Sequence, residues 1–238
     1  MCLIVQLLLF PVIVSFLYQL CGVEQLSIKY LYSRSRCDYC HRSLSTLELI
    51  PIISYLIQKG RSRCCHQKLS MLYPLGEIIS LSAIPLLNMS LPITSELFLL
   101  LFFLLLTLSI FDMATLSIPL HMMIIFSCCC YFYSDIHLTH AFFMIIGLHL
   151  FYFCSRRAMG YGDILVFSML ACFLPIIVFI YVFLFTFIIG GIVIVMLSIM
   201  LYKRQRLTHH VPLVPFIFLS FCFVISQYAS LHQGGLFI

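Results

Sequence analysis

Two aspartates stand at the edges of long apolar stretches, where a charged side chain is costly and is therefore a functional candidate. Asp112 closes the apolar run 93–111, and Asp163 follows the Gly-Tyr-Gly sequence at 160–162 and opens another run. Two carboxyl groups held close together share one proton, because both cannot ionise cheaply. The ionised group can then activate a water while the protonated one polarises a carbonyl, which is the chemistry of aspartyl peptide hydrolysis. The alternative is that each aspartate only ends or caps a helix.

The residues next to the two aspartates favour the catalytic interpretation. The glycines before Asp163 let the backbone take conformations closed to other residues and admit another chain close by. After Asp112, the sequence MATLSIPL contains Pro119, which restarts a helix and leaves a short polar interruption behind the carboxylate. We therefore expect a substrate strand to reach the acids at this level.

The composition of the chain is that of a polytopic membrane protein. Of its 238 residues 63% are hydrophobic and 9% are charged, and the mean hydropathy is +1.14. Half of the 12 cysteines lie within apolar runs, where cysteine behaves as a small hydrophobe, so no disulfide framework follows. The basic loop has no interleaved aromatic platform, which argues against direct nucleic-acid binding. Membrane lipids with anionic headgroups are the expected partners of its charge.

The apolar runs predict an all-α protein with about eight transmembrane helices, since a crossing needs about 20 apolar residues. The stretch 163–202 is long enough for two crossings, with Pro175 near the turn between them. We divide the chain into a first transmembrane helix at 2–20, a small cytoplasmic cysteine-containing domain at 21–73 and a catalytic helical domain at 74–230. The remaining predicted spans are 74–91, 93–111, 118–133, 137–154 and 211–230.

The distribution of basic residues predicts the orientation. Cytoplasmic loops collect Lys and Arg, and with eight spans all 13 basic residues fall on one side. Both termini are then outside the membrane and segment 21–73 is cytoplasmic. The same parity brings Asp112 and Asp163 to the inner face.

The cytoplasmic segment also carries a candidate metal site. Cys37 and Cys40 have the Cys-x-x-Cys spacing, and Cys64, Cys65 and His66 follow after a gap of 23 residues. Thiolates spaced in this way in a reducing compartment indicate a structural zinc site. The alternative is a set of exposed cysteines without a metal.

These motifs together resemble the type IV prepilin peptidases, which belong to the GxGD class of intramembrane aspartyl proteases. The GYGD sequence ending at Asp163, Asp112 and the Ile-Pro at 118–119 carry the resemblance in the helical part. The cytoplasmic segment is similar as well, and the resemblance extends from Arg34 to the end of the sixth span. The matching positions there are Leu-Ile-Pro at 49–51, Ser-Tyr at 54–55, Gly-Arg at 60–61, Tyr-Pro at 73–74 and Glu77.

The resemblance implies that Asp112 and Asp163 are catalytic in an enzyme of the bacterial cell membrane. Its expected reaction is cleavage of the leader peptide of prepilins or pseudopilins at the cytoplasmic face, in support of pilus assembly, type II secretion or competence DNA uptake. Many relatives also methylate the new N-terminus with S-adenosylmethionine, and the resemblance alone implies that cofactor here. The alternatives are a proton-coupled transporter, in which the aspartates form a relay, and a catalytically inactive assembly factor.

The sequence departs from the family pattern at the third cysteine position, which is Ser62. Cys65 then takes the fourth position and Cys64 is out of register. Either Cys64 or His66 completes the ligand set with Cys65, or Cys64 and His66 bind together, or the metal has been lost. Many relatives carry another acid two residues after the first aspartate, where this chain has Ala114. Glu77 either lies near the aspartates or extends to water.

The orientation predicts the labelling of single cysteines in a chain freed of other reactive thiols. Ser33→Cys and Lys203→Cys should resist an impermeant maleimide in intact cells, because both positions lie in cytoplasmic loops. Ser134→Cys should react, because it lies in an outer loop. Labelling of Lys203→Cys from outside would contradict the orientation and would separate the two aspartates across the membrane.

Overall fold

The computed structural model describes residues 3–23, 35–37, 39–133, 138–154, 159–201 and 211–233. Seven of the 13 basic residues behind the predicted orientation lie outside these ranges, as do the three labelling positions. The seven are Lys29, Arg34, Arg156, Arg157, Lys203, Arg204 and Arg206.

The regular structure of the described residues is helical, which confirms the all-α prediction. Besides the helices, these residues contain a short 3-10 helix at Thr46–Leu49 and two isolated β-bridges, and no strand. The α-helices are α1 Leu3–Cys21, α2 Ile53–Ile57, α3 Leu72–Ser80, α4 Ala83–Leu87, α5 Ser95–Thr115, α6 Leu120–Tyr131, α7 Leu138–Cys154, α8 Tyr161–Phe173, α9 Ile176–Leu201 and α10 Val214–Gln233.

Three helices in the described part of the chain are long and apolar enough to cross a membrane, namely α1, α5 and α9. In the other apolar helices, the apolar stretch within the described residues is shorter than a full crossing requires. The count of eight spans therefore stays a prediction, although the apolar helices lie where the hydrophobic runs placed them.

The second predicted span differs from a continuous helix, because α3 and α4 are interrupted at Leu81 and Ser82. Proline lacks an amide hydrogen and its ring clashes with the carbonyl four residues earlier, so Pro85 disfavours helix at Leu81. The hydroxyl of Ser82 also donates to the Ile79 carbonyl at 2.7 Å, a local bond that competes with helical hydrogen bonding.

The chain divides into two compact units, and residues 1–84 form the first. Within it α1 packs against α3, where the rings of Tyr18 and Tyr73 meet edge to face at 4.9 Å. Glu77 of α3 is buried and its carboxylate accepts the Ile52 amide at 2.6 Å. Ile52 has φ of 60°, which a β-branched residue rarely adopts. Glu77 thus stabilises a strained loop instead of extending to water.

The second unit, residues 85–238, is organised around α5. In the most apolar stretch of α5, 72% of the residues are buried, against 28% for α1 and for α9. Phe98 and Phe102 of α5 contact Phe221 and Phe218 of α10, with ring centroids 5.9 and 5.2 Å apart. The order of these pairs shows that α5 and α10 are antiparallel.

Helix α8 is the second buried helix of this unit and contacts α6, α7 and α9. Its Phe167 is fully buried, and the ring lies 5.0 Å from that of Phe183 in α9. The two helices that carry the predicted catalytic aspartates are therefore both fixed by packing inside one unit.

Candidate active site and metal centre

Asp112 lies in the last turn of α5 and is only 6% exposed. The helix ends at Leu116, which has a left-handed backbone and donates its amide to the Asp112 carbonyl at 2.8 Å. The Asp112 carboxylate accepts the amide of Val214, the first residue of α10, at 3.3 Å. The side chain is thus held from a helix that is remote in the sequence.

Asp163 lies in the first turn of α8 and is partly exposed. Its carboxylate lies beside Gly160, the residue that caps the helix. A Cβ atom at position 160 would lie 3.0 Å from Asp163 Oδ2. Gly160 has an ordinary φ of −68°, so this glycine is needed for space and not for an unusual backbone conformation.

The second glycine of the motif brings the two aspartates together. A Cβ atom at Gly162 would lie 2.8 Å from Ile118 Cδ1, which is closer than atoms can pack. Since Ile118 follows α5, this contact packs the segment after Asp112 against the start of α8. The contact therefore places the ends of α5 and α8 that carry Asp112 and Asp163 next to each other. This proximity is the condition for a shared proton.

An aromatic cluster lies next to Asp163 and was not predicted from the sequence. The ring of Tyr161 lies 5.2 Å from that of Tyr152 and 5.9 Å from that of His149. Tyr161 is 47% exposed and precedes Asp163 by two residues. The only sign of this cluster in the sequence was the position of Tyr161 inside the GYGD motif.

In the first unit, Cys37, Cys40, Cys64 and Cys65 form one cluster, with all four sulfur atoms within 4.8 Å of one another. The Cys37 and Cys65 sulfurs are 3.8 Å apart, and those of Cys40 and Cys64 are 3.1 Å apart. Four sulfurs at about 2.3 Å from a tetrahedral zinc ion would be about 3.8 Å apart. The donor set could therefore hold a metal ion such as zinc. His66 is not a member of this cluster.

The thiols come from two turns, 36–43 and 61–68, that share one backbone pattern. An antiparallel bridge closes each turn, and a histidine with a left-handed backbone stands at the sixth position of each. The amide hydrogen bonds inside the turns are Cys37 N–H to Arg42 O at 2.9 Å and Ser62 N–H to Gln67 O at 2.8 Å.

The common pattern of the two turns explains the departure at Ser62. Ser62 occupies in the second turn the place that Cys37 has in the first, and Cys65 corresponds to Cys40. Position 62 therefore supplies no thiol. The sulfur of Cys64, the residue next to Cys65, lies in the cluster in its place. The structure thus favours Cys64 over His66 as the fourth donor.

Ser62 remains part of the cluster through its hydroxyl group. The hydroxyl is buried and lies 3.4 Å from the Cys37 sulfur and 3.0 Å from that of Cys64. Hydrogen bonds to the Ser62 hydroxyl, and then to the Cys40 amide, lower the pKa of the Cys37 thiol to about 6. These hydrogen bonds favour the thiolate of Cys37, which is the form that binds metals.

Residues 8–91 match the family described as Bacterial Peptidase A24 N-terminal domain. This match supports the resemblance to the type IV prepilin peptidases. The matched range contains all four thiols of the cluster and Glu77, and it ends before Asp112 and Asp163. The roles of the two aspartates therefore stay predictions. No curated protein and no solved structure matches the chain.

The turn geometry predicts which substitutions remove the metal. The purified protein should contain about one zinc ion per chain, and Cys64→Ser should lose most of it because three thiols remain. His66→Ala should keep the zinc, since this side chain is not in the cluster. Adding Ser62→Cys to Cys64→Ser should restore the metal, because position 62 matches that of Cys37. Metal analysis of the four proteins checks the prediction, and zinc retained in Cys64→Ser but lost in His66→Ala would contradict it.

Proposed function

We propose that the protein is a membrane aspartyl endopeptidase that cleaves the leader peptide of type IV prepilin-like proteins at the cytoplasmic membrane face. The observation that carries the proposal is the close contact between Ile118 and Gly162, which packs the segment after Asp112 against the start of the helix that carries Asp163. The resemblance to the prepilin peptidases, which the match of residues 8–91 supports, supplies the class of substrate.

The reaction follows from the shared proton of the pair. One ionised aspartate removes a proton from a water, and the resulting hydroxide attacks the scissile carbonyl carbon. The protonated aspartate donates to the carbonyl oxygen, where negative charge develops. As the C–N bond of the tetrahedral intermediate breaks, the leaving amine takes a proton from the aspartate that had accepted one. The other aspartate takes back a hydroxyl proton as the carbonyl re-forms, which restores the pair. No covalent bond between enzyme and substrate forms at any step.

Access of a substrate strand is supported by the surroundings of Asp163. Gly160 is exposed and has no side chain, and Tyr161 offers an exposed ring at the same level. An extended peptide can approach a backbone closely at such a position. We propose that the leader enters here from the cytoplasmic side, with residues 21–73 on that side and both termini outside. Pilus assembly, type II secretion and competence DNA uptake are the processes that such a cleavage would serve.

Methylation of the new N-terminus rests on the resemblance alone. A cavity of about 130 Å³ lies in the first unit among Gln19, Arg36, Tyr55 and Glu77. Sites for small molecules usually occupy about 300–1,000 Å³, so this cavity is small for S-adenosylmethionine. Our proposal is therefore confined to peptide cleavage. Zinc at the four thiols would stabilise the first unit and takes no part in the hydrolysis proposed for the aspartates.

The proposal predicts the effect of removing either carboxylate. Asp112→Asn and Asp163→Asn should each lower the rate of leader removal by at least about 100-fold, because loss of an essential acid or base has this effect. The rate can be measured with purified protein and a prepilin in lipid vesicles, from the loss of the leader on a gel.

Glu96→Gln is the matched control, because it makes the same kind of change at the exposed opposite end of α5. It should cleave at close to the original rate. Cleavage by Asp163→Asn at more than about a hundredth of that rate would exclude the two-aspartate mechanism. A wild-type chain that inserts but leaves the prepilin uncut would favour the transporter or the inactive assembly factor.

A further inference from the structure

The first turn of α10 has one backbone amide that its own helix cannot satisfy. Amides in the first turn of any helix lack partners within that helix. Here Phe216 and Ile217 donate to the Leu213 carbonyl, at 3.0 and 3.2 Å, and Pro215 has no amide hydrogen. Val214 is the remaining donor, and it is fully buried.

The acceptor of this amide is the Asp112 carboxylate, at 3.3 Å and 102 residues away in the chain. The position of the amide is fixed by packing, because Phe98 and Phe102 of α5 contact Phe221 and Phe218 of α10. These aromatic pairs align the facing parts of the two helices, and the contact between Asp112 and Val214 continues the same antiparallel order. The amide therefore has little freedom to move away from the carboxylate.

A carboxylate at the end of a side chain with two rotatable bonds has several orientations open to it. Catalysis requires one of them, since a misplacement of about 1 Å can lower a rate by about 100-fold. The partial positive charge at the start of α10 also favours the ionised carboxylate in the orientation that meets the amide.

We propose that the Val214 amide is a positioning group for the reaction, which holds one oxygen of Asp112 and leaves the other directed to the water or to Asp163. This inference rests on the proposed peptidase function. The structural alternative is that Asp112 only satisfies the first turn of α10 and that its orientation has no effect on the rate.

The test removes the amide hydrogen without removing the carboxylate. Val214→Pro does this at the first position of a helix, where proline is tolerated. Val214→Ala keeps the amide and measures the effect of the shortened side chain. We expect kcat for leader cleavage to fall roughly 10- to 100-fold in Val214→Pro, with KM within about twofold of the wild-type value. The loss of kcat should be several times larger than in Val214→Ala.

A chain with an ester in place of the peptide bond between Leu213 and Val214 repeats the test if the proline variant does not fold. The ester also lacks the hydrogen and imposes no ring. Equal kcat in the ester or proline chain and the wild type, while Asp112→Asn is inactive, would overturn the positioning role and leave the peptidase proposal intact. A rise of KM with unchanged kcat would overturn it as well. An inactive wild-type chain would instead refute the peptidase function, and this inference with it.

Discussion

The buried carboxyl group of Asp112 is the constraint on which the arrangement of the second unit depends. A carboxylate taken out of water is costly unless hydrogen-bond donors replace the water, and here the donor is the Val214 amide. That amide can be supplied only if α10 begins where α5 ends, and the phenylalanine pairs along the two helices fix this relation. Each such pair contributes about 0.5–1.5 kcal/mol beyond its buried area. The packing of the phenylalanines thus determines which hydrogen-bond donor reaches the Asp112 carboxylate.

In the first unit, too, side chains from separate segments of the chain come together. Glu77 on α3 accepts the amide of the strained Ile52, and the two cysteine turns place four thiols within one metal-sized cluster. The second turn keeps the backbone pattern of the first although it has a serine at position 62 and its thiol at position 64. Cys64 reaches the cluster because the turn presents adjacent side chains in that direction, although adjacent residues seldom bind one metal ion together.

The parts of the fold that could be predicted from the sequence are those with local causes. Hydrophobic runs indicated α5, α7 and α10 closely, and Pro175 separates α8 from α9 as its missing amide requires. The Cys-x-x-Cys spacing indicated the thiol cluster, because this spacing is also a local feature of the sequence. The contact between Ile118 and Gly162 and the bond from Val214 to Asp112 join distant segments. Hydropathy and spacing describe each helix alone and do not specify which helices become neighbours, so these contacts required the structure.

The central claim is that the Asp112 and Asp163 carboxyl groups form one site, and cross-linking tests it most directly. A chain with Asp112→Cys and Asp163→Cys, no other cysteine and a protease site within 155–158 would be treated with a short bifunctional thiol reagent in membranes. After proteolysis the two fragments should remain joined on a denaturing gel. With Glu96→Cys in place of Asp112→Cys they should separate, because position 96 is at the other end of α5. Fragments that separate equally in both chains would contradict the account.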